Sequence, residues 1–330
     1  MTEDVRPWPS GEDQLRADHR TLRHLITLEG LSREVIERLL ERSQSFVRPV
    51  GTLPPITQSL AGRTVANLFT EPSTRTRVSF ELAAKRLGAD VVNLEVQLSS
   101  RVKGESMLDT VYTLQAMHVD AMVIRDAEAG VPASVARNVA PHVSVLSAGE
   151  AHVSHPTQGL LDALTILQRK KRLEGLSIAI VGDIRHSRVA RSDYHAFRAL
   201  GCSDLRIVGP ASLMPAAEEF AGCSRHTTLR TGLKDADVVM MLRIQKERMG
   251  HADLPDADRY FAKFGLTPER LATARPDAIV MHPQPMNRGI EIASDVADGP
   301  QSVIRDQVSN GVAVRMAVLE EVLTSGAHRA

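Results

Sequence analysis

The sequence has few cysteines and few aromatic residues, and each scarcity excludes a class of protein. Its two cysteines, Cys202 and Cys223, are widely separated and belong to no Cys-x-x-Cys motif. We therefore expect neither a disulfide framework nor a structural zinc site, and this cysteine usage fits a reducing cytoplasmic compartment. Aromatic residues make up only 3% of the chain, too few to build the stacking platforms that bind single-stranded nucleic acid.

An excess of one charge sign and long apolar runs are also missing. Forty Lys and Arg residues balance forty Asp and Glu residues, so no overall electrostatic field would draw the protein to nucleic acid or to a membrane. The polar segment at residues 1–14 argues against a signal peptide, and no apolar run is long enough to cross a bilayer. The composition predicts a soluble cytoplasmic protein in which any basic site is a local cluster of side chains.

Short runs rich in β-branched residues alternate with amphipathic stretches along most of the chain, which is typical of a parallel sheet covered by helices. The predicted strands are TVANLF, DVVNLEV, DAMVIRD and HVSVLSA, followed in the second half by LSIAIVGDI, DLRIVGP, DVVMML and DAIVMHP. Helices are predicted at SREVIERLLERSQSF, TRTRVSFELAAKRLG, SMLDTVYTLQAM, PASVARNVA and HPTQGLLDALTILQRKKRL, at about residues 188–200, and at QVSNGVAVRMAVLEEVL. The first of these helices has Ser32 as its predicted N-cap.

The alternation occurs in two series, which predicts an α/β fold with two lobes of similar size. We place the first domain at residues 1–150 and the second at residues 151–300, each a parallel sheet flanked by helices. Residues 1–20 are rich in proline and charge and are predicted to be loose. The helix that starts near His155 would join the lobes, and a C-terminal helix at about residues 301–325 would pack back on the first. Ligands of open α/β sheets bind beyond the carboxyl ends of the strands, so a cleft is expected there.

The segment Ser73-Thr74-Arg75-Thr76-Arg77 stands where a predicted strand gives way to a helix. A helix N-terminus presents N–H groups and a partial positive charge, so it binds anions readily. The hydroxyl groups add donors, and Arg75 adds a planar guanidinium suited to phosphate or carboxylate. Taken alone, a plain N-cap at Ser73 with both arginines in solvent is the commoner explanation of such a segment. Arg77 projects to another side of the helix than Arg75 and is expected to serve structure.

Three further segments of the first lobe carry candidate polar side chains. Lys103 lies in a loop before a helix, where an exposed lysine is the ordinary case. Arg125 falls at the carboxyl end of a predicted strand, a position suited to ligand binding, although a surface ion pair with Asp126 explains it equally well. His155 and Gln158 are three residues apart at a helix start and share one face. A histidine there could donate to a carbonyl oxygen, and a packed or capping histidine is the alternative.

In the second lobe, arginine and glutamine side chains follow predicted strands. Arg188 opens a helix and could hold a carboxylate, while Arg243 and Gln245 lie just past a strand end. The Gln284–Pro285 turn follows another strand, and its proline-rich backbone would present carbonyl groups without flexing. The segment VGDIRH at residues 181–186 lacks the glycines that a dinucleotide site needs, which argues against nucleotide binding.

Taken together, these segments resemble the aspartate/ornithine carbamoyltransferase family, in particular the catalytic chains of bacterial aspartate carbamoyltransferases. The resemblance runs from about His24 to about Val322 and is carried by the motifs STRTR, KGES..DT, HPTQ..LD, GD..HSRVARS, LR.QKER and HP.P.NRG.EI. Ornithine enzymes of the family share S-x-R-T-R and HP-x-Q but typically carry HCLP in the last motif. This chain has MHPQP there without a cysteine, which favours the aspartate enzymes.

The resemblance implies that carbamoyl phosphate reacts with L-aspartate to give N-carbamoyl-L-aspartate and phosphate, an early step in pyrimidine (UMP) synthesis. It implies no metal and no organic cofactor. It also implies a homotrimer with shared active sites, in which Ser99 and Lys103 come from a neighbouring subunit. Relatives associate with regulatory or dihydroorotase-like chains, so a larger assembly stays open. The alternatives are an ornithine carbamoyltransferase or related transcarbamylase, and a catalytically silent scaffold.

The resemblance also implies a role for each matching residue. The phosphate would be bound by Ser73, Thr74, Arg75, Thr76 and Arg125, with Ser99 and Lys103 of the neighbour. The carbonyl oxygen of the carbamoyl group would be surrounded by Thr76, Arg125 and His155. Its nitrogen would donate to Gln158 and to backbone carbonyls at Gln284–Pro285. The aspartate carboxylates would be bound by Arg188, Arg243, Gln245 and Lys103. Catalysis would thus rest on His155, Arg75, Thr76, Arg125 and Lys103.

The chain departs from the family pattern in three segments. Gly149-Glu150-Ala151 replaces the frequent GDG before the His-Pro motif, which is expected to alter the loop rather than the chemistry. Asp193 stands where Asn is common. Gln284 stands between two prolines where Leu or Gly is usual, and this substitution bears on where the carbonyl groups of that turn point.

Overall fold

The computed structural model describes residues 12–15, 20–95, 106–244 and 256–324. Contacts between residues divide the chain into two units. Unit 1 comprises Met1–Leu160 together with Ser309–Ala330, and unit 2 comprises Leu161–Val308. Both passages from one unit to the other therefore fall inside helices, Pro156–Lys170 and Ile304–Thr324.

Unit 1 begins its regular structure with a 3-10 turn at Glu12–Gln14 and helix α1 (Arg33–Phe46). The predicted cap of α1 is confirmed, because Oγ of Ser32 accepts a hydrogen bond from the Val35 N–H. Strands and helices then alternate as β1 (Thr64–Phe69), α2 (Thr74–Arg86), β2 (Asp90–Glu95), α3 (Met107–Ala116), β3 (Ala121–Asp126), α4 (Val131–Asn138), β4 (Ser144–Glu150) and α5 (Pro156–Lys170).

The strands of unit 1 form a parallel sheet in the order β2-β1-β3-β4. The central strands β1 and β3 are almost entirely buried, as is usual for parallel sheets covered by helices. Apolar side chains from these strands, including Leu68 and Ile124, join Val145 of β4 in one hydrophobic core. Burial of each such side chain stabilises the fold by ~1.5–3 kcal/mol. This core fixes where the strand ends lie.

Unit 2 contains a second alternating series and its own core. Its elements are β5 (Ser177–Val181), α6 (Arg188–Ala199), β6 (Asp204–Val208), β7 (Ser224–His226), α7 (Leu229–Gly232), β8 (Val238–Met241), α8 (Ala257–Phe264), α9 (Pro268–Leu271), β9 (Ile279–Met281), α10 (Ser294–Ala297) and the start of α11 (Ile304–Thr324). The strands form a parallel sheet in the order β7-β6-β5-β8-β9.

Two glycines allow neighbouring strands of unit 2 to leave the sheet close together. Gly182 follows β5 with φ +133°, and a Cβ there would lie 3.0 Å from the Leu242 carbonyl oxygen. A Cβ on Gly209, which follows β6, would lie 2.5 Å from the Gly182 carbonyl oxygen. Larger residues would push the backbones apart, so glycine is required at both positions.

The predicted α/β fold, with two parallel sheets flanked by helices, is confirmed. Each strand predicted from the sequence is present, and β4 runs two residues beyond its predicted end to Glu150. The sequence analysis missed short elements of three to eight residues, namely β7, α7, α8, α9 and α10. None of the helices in the described part of the chain combines the length and apolar character that a membrane span requires.

Candidate active site

The sheet of unit 1 has a switch point between β1 and β3, because the chain places β2 on one side of β1 and β3 on the other. Switch points leave a crevice at the carboxyl ends of the strands, where α/β proteins bind ligands. Thr70 ties the two ends together by donating its N–H (3.0 Å) and its hydroxyl (3.2 Å) to the Arg125 carbonyl. The Ala151 N–H donates to the Asp126 carbonyl at 3.0 Å and links the end of β4 to the same edge. Candidate residues that follow these three strands therefore meet there.

Helix α2 begins at this edge with the Ser-Thr-Arg-Thr segment. Ser73 occupies the N-cap position, but its side chain makes no capping hydrogen bond, so the simple N-cap interpretation is wrong. Thr76 is 7% exposed and faces inward, whereas Thr74 and Arg75 are exposed. Further along, Oγ of Ser79 donates to the carbonyls of Arg75 (2.7 Å) and Thr76 (3.0 Å). Three hydroxyl groups and one guanidinium thus stand at the positive end of a helix.

Arg125 is the penultimate residue of β3, and its guanidinium has contacts on two sides. Nη1 donates to the Ala148 carbonyl at 3.2 Å. Nε lies 3.2 Å from Oε2 of Glu71, a contact that counts as an ion pair by distance but lacks hydrogen-bond geometry. The alternative of an ion pair with Asp126 is wrong, because the buried Asp126 carboxylate accepts the Glu128 N–H at 2.9 Å instead. Arg125 is therefore aligned along the strand ends rather than paired with its sequence neighbour.

His155 and Gln158 stand at the start of α5. Pro156 is the first helical residue, as expected, and the His155 carbonyl accepts the N–H groups of Gln158 (2.9 Å) and Gly159 (3.3 Å). Both side chains are largely buried, with 6% of His155 and 8% of Gln158 exposed. Ser154 fixes the approach to the helix by donating its hydroxyl to the Ile26 carbonyl at 3.0 Å. The two polar side chains are therefore held in place beside the end of β4.

The Gly149-Glu150-Ala151 departure lies at the end of β4. Glu150 is fully buried and lies opposite Asp126 of β3 after a shift in strand register. Its Oε2 accepts the Gly130 N–H at 3.2 Å, at the N-terminus of α4. Gly149 and Ala151 both have positive φ, +111° and +38°. The segment that differs from the family pattern thus places the buried Glu150 carboxylate at the N-terminus of α4.

Unit 2 has a switch point between β5 and β8, since β6 and β8 lie on opposite sides of β5. Arg188 starts α6 after β5, and Ser187 caps that helix by accepting the Ala190 N–H at 3.1 Å. Arg243 follows β8 and is half-buried, whereas Arg188 is 5% exposed. The Gln284–Pro285 turn follows β9, the next strand after β8. The predicted residues of unit 2 thus stand after three neighbouring strands.

The peptide bond between Gln284 and Pro285 is cis, and Gln284 has φ +56°. A positive φ is uncommon for residues other than glycine. The Gln284 N–H donates to Nδ1 of His282 at 2.9 Å. The turn is therefore anchored by a histidine that the sequence analysis did not single out.

A pair of buried carboxyl groups joins α5 to α6 within unit 2. Asp162 and Asp193 are fully buried, and the Asp193 side chain contacts Asp162. Burial, and then the Asp162 charge, hold the pKa of Asp193 well above its ordinary value. Neither Asp193 oxygen receives a bond from an N–H or hydroxyl donor of the described residues. A protonated Asp193 that donates to Asp162 accounts for both observations, because two buried acceptors can bond only by sharing a proton.

Ser99, Lys103 and Gln245 lie outside the described residues, so their predicted roles stay predictions. Glu71 and His282 are the polar residues at these edges that the sequence analysis missed. Glu71 stands two residues before the STRTR segment, and His282 lies inside the quoted HP.P motif. Both had a sequence signal, but the partner of Glu71 is Arg125, 54 residues away, and the contacts of His282 with Gln284 and Glu291 are not visible in the motif. Within the described ranges, no group of three or more His, Cys, Asp or Glu side chains could hold a metal ion.

Family models match almost the whole chain. Residues 23–168 match the aspartate/ornithine carbamoyltransferase carbamoyl-P binding domain, and residues 174–322 match the Asp/Orn binding domain of the same family. The two matched segments each contain one of the two parallel sheets.

Solved structures give the same result at the level of the whole chain. Ornithine carbamoyltransferase from Pyrococcus furiosus aligns with a TM-score of 0.81 and 30% identity over 92% of this chain and 98% of that chain. Aspartate transcarbamoylase from Trypanosoma cruzi, in complex with carbamoyl phosphate and aspartate, aligns with a TM-score of 0.79 and 31% identity over 96% and 100%. Its complex with carbamoyl aspartate and phosphate gives 0.80 and 29% over 98% and 100%. The similar structures thus include enzymes named for either amino acid.

Proposed function

Because the chain belongs to the aspartate/ornithine carbamoyltransferase family, we propose that it is an aspartate carbamoyltransferase. It would transfer the carbamoyl group of carbamoyl phosphate to the amine of L-aspartate and release phosphate, in pyrimidine synthesis. The observation that carries the choice of aspartate is the pair of arginines, Arg188 and Arg243, that follow the neighbouring strands β5 and β8. A dicarboxylate calls for two cationic partners, whereas the side-chain ammonium of ornithine does not.

The phosphate subsite in this proposal is the switch point of unit 1. Ser73, Thr74, Arg75 and Thr76 would bind the phosphate oxygens at the N-terminus of α2, where the helix dipole favours an anion. Arg125 would add a second guanidinium, and Ser99 and Lys103 of a neighbouring subunit would complete the subsite. The Ser73 hydroxyl makes no capping hydrogen bond to α2. This supports the proposal, because helix capping does not account for a serine at this position.

The carbamoyl group would lie with its carbonyl oxygen toward Thr76, Arg125 and His155. When the aspartate amine attacks the carbonyl carbon, negative charge develops on that oxygen, and fixed donors stabilise it without reorganising. The carbamoyl nitrogen would donate to Gln158 and to the backbone carbonyls of the Gln284–Pro285 turn. The carbon–oxygen bond to phosphate then breaks, and the proton from the amine leaves with the phosphate. Catalysis therefore rests on orientation and electrostatics, with no covalent intermediate.

The amino-acid subsite would use residues of unit 2. Arg188 and Arg243 would each bind one carboxylate of aspartate, with Gln245 beside Arg243 and Lys103 of the neighbour as a further cation. The last motif, Met281-His282-Pro283-Gln284-Pro285, contains no cysteine, and it therefore resembles the aspartate enzymes rather than the HCLP pattern of the ornithine enzymes. An ornithine carbamoyltransferase is the rival that an assay must exclude.

We also propose that the chain functions as a homotrimer. Val78 and Leu82, one turn apart on α2, and Val92 on the outer strand β2 are each 41–42% exposed. These apolar side chains lie on the elements next to the phosphate subsite, and their exposure supports an interface on this side of unit 1. Size-exclusion chromatography with light scattering should give the mass of three chains. A monomer that is fully active would contradict the shared site.

The test of the function is a coupled assay of phosphate release. The purified protein is supplied with carbamoyl phosphate and either L-aspartate or L-ornithine at equal concentrations. We expect turnover with aspartate and a kcat/KM for ornithine at least about 10³-fold lower, because ornithine would bring an ammonium group, instead of a second carboxylate, to one of the two guanidinium groups. Equal or greater turnover with ornithine would assign the chain to the other branch of the family. No turnover with either amino acid would favour a silent scaffold.

A further inference from the structure

His282 is a buried histidine of unit 2 whose backbone N–H and two ring nitrogens all make polar contacts. Its Nδ1 accepts the Gln284 N–H at 2.9 Å, and its Nε2 lies 3.2 Å from Oε1 of Glu291. Its backbone N–H donates to Oε1 of Gln307 at 2.9 Å. The side chains of His282 and Glu291 are fully buried. The residue therefore joins the end of β9 to the turn that follows it.

These contacts define the tautomer of the ring. Because the Gln284 N–H is a donor, the Nδ1 atom that it meets must carry a lone pair. The proton of the ring then sits on Nε2 and is donated to the Glu291 carboxylate, which also accepts the Asn287 N–H at 2.5 Å. A histidine oriented in this way by a carboxylate is fixed in both rotation and tautomer.

The backbone of His282 is held by a series of buried polar side chains that contact one another. Gln307, which accepts the His282 N–H, donates its Nε2 to Oδ1 of Asp162 at 2.6 Å. Asp162 in turn contacts the buried carboxyl of Asp193. Gln307 and both aspartates are at most 2% exposed. Bonds of this kind are strong and directional in a buried environment, so they restrict both the ring and the backbone of His282.

We propose that His282 is a positioning residue for the carbamoyl nitrogen, acting through the Gln284–Pro285 turn. Gln284 has a positive φ, and its N–H is held by a ring that cannot turn away. Holding that N–H fixes the planar peptide unit between Pro283 and Gln284, which is the start of the turn that presents the carbonyl groups. This inference rests on the proposed function, in which those carbonyls accept hydrogen bonds from the carbamoyl group.

Two substitutions at one position separate the two ring contacts. In His282→Asn the amide oxygen can take the place of Nδ1 and accept the Gln284 N–H, while the contact with Glu291 is lost. In His282→Gln the amide nitrogen can take the place of Nε2 and donate to Glu291, while the Gln284 N–H is left without its acceptor. The two variants thus differ in which bond they keep, although both remove the ring from the core.

The experiment compares the wild type and both full-length variants in steady-state kinetics with each substrate varied. We expect His282→Gln to raise the KM for carbamoyl phosphate about tenfold with a smaller effect on kcat, because the loss concerns binding common to ground and transition states. His282→Asn should stay within about threefold of the wild-type KM. A KM for carbamoyl phosphate that changes equally in both variants would overturn the inference. So would a rise confined to the KM for the amino acid.

A second measurement covers the case in which the variants fail to fold. Neutron diffraction from crystals of the deuterated wild-type protein locates the exchangeable deuterons directly. We expect a deuteron on Nε2 of His282, another on the Gln284 nitrogen and none on Nδ1. A deuteron on Nδ1 would overturn the inference without any variant. If the wild type does not consume carbamoyl phosphate, the proposed function fails and this inference with it, whereas active wild type with indistinguishable variants rejects the inference alone.

Discussion

The Nε atom of Arg125 lies 3.2 Å from Oε2 of Glu71, across the switch point of the sheet in unit 1. Arg125 belongs to β3, and Glu71 belongs to the turn after β1. The guanidinium also donates from Nη1 to the Ala148 carbonyl of β4 at 3.2 Å. One planar side chain of β3 therefore contacts the turn after β1 and the backbone of β4, which orients its remaining N–H groups before any ligand binds.

Arg125→Lys tests the need for that planar group. Lysine keeps the charge but carries one ammonium, so it cannot contact Glu71 and Ala148 together and still reach a ligand. We expect kcat/KM for carbamoyl phosphate to fall about 10²-fold or more, measured by phosphate release. Arg137→Lys, at an exposed position on α4, is the matched control and should be unchanged. Wild-type kinetics for Arg125→Lys would remove Arg125 from the proposed site.

Arg75→Ala tests the phosphate subsite at α2. Arg75 is exposed, so its removal leaves no cavity, and the loss of a guanidinium from the phosphate is expected to reduce turnover below detection, about 10³-fold or more. The trimer should remain intact by light scattering. Lys85→Ala on the same helix removes an exposed cation that pairs with Glu81 and should keep normal activity. Near-normal turnover of Arg75→Ala would refute the phosphate assignment.

His155→Ala tests stabilisation of the developing oxyanion. A group that acts mainly in the transition state lowers kcat when it is lost, and we expect a fall of about 10² to 10³-fold with a small change in the KM for carbamoyl phosphate. The exposed His142 provides the control His142→Ala. An effect confined to the affinity for carbamoyl phosphate would instead assign His155 to ground-state binding.

Asp193→Asn tests the buried carboxyl pair through pH. Burial and Asp162 raise the pKa of Asp193 in the folded protein, while the unfolded chain has the ordinary value of about 3.9. Above about pH 4 the folded state therefore binds more protons than the unfolded state, and this group makes stability fall as pH rises, by up to about 1.4 kcal/mol per pH unit. The loss ends once pH passes the folded-state pKa, beyond which the carboxyl is ionised in both states.

Asparagine does not titrate and can donate its amide N–H to Asp162 at every pH. We therefore expect the free energy of unfolding of Asp193→Asn, relative to wild type, to rise with pH above about pH 4 in urea titrations. Asp258→Asn makes the same change at an exposed position on α8 and should show no such trend. A difference independent of pH would show that Asp193 is ionised throughout that range.

Much of the fold could be predicted because hydrophobic periodicity is a local property of the chain. The strand TVANLF was predicted at the residues where β1 lies, since a short, mostly apolar run between turn residues is typical of a buried strand. The four-residue helix Leu229–Gly232 was missed, because it spans little more than one helical turn and cannot show a repeating pattern. Strand order was not predicted either, since it depends on packing between residues distant in sequence.

For the candidate site, too, the sequence motifs select the residues but do not reveal their contacts. Ser73 to Thr76, Arg125, His155 and Gln158 could be selected from motif order alone, and the structure places their strands side by side. The partner of Arg125 could not be selected, because Glu71 is 54 residues away and Asp126 is adjacent. Nothing in the HP.P motif indicates that His282 bonds Gln284, since that contact depends on a positive φ at Gln284.

The passages between the units, inside α5 and α11, have a consequence for anyone who divides this protein. A fragment that stops at Leu160 keeps only the first five residues of the 15-residue helix Pro156–Lys170. That fragment also lacks Ser309 to Thr324 of the last helix, which belongs to unit 1. Fragment complementation should therefore need two pieces of chain to rebuild unit 1, with residues 161–308 behaving as an insertion into it.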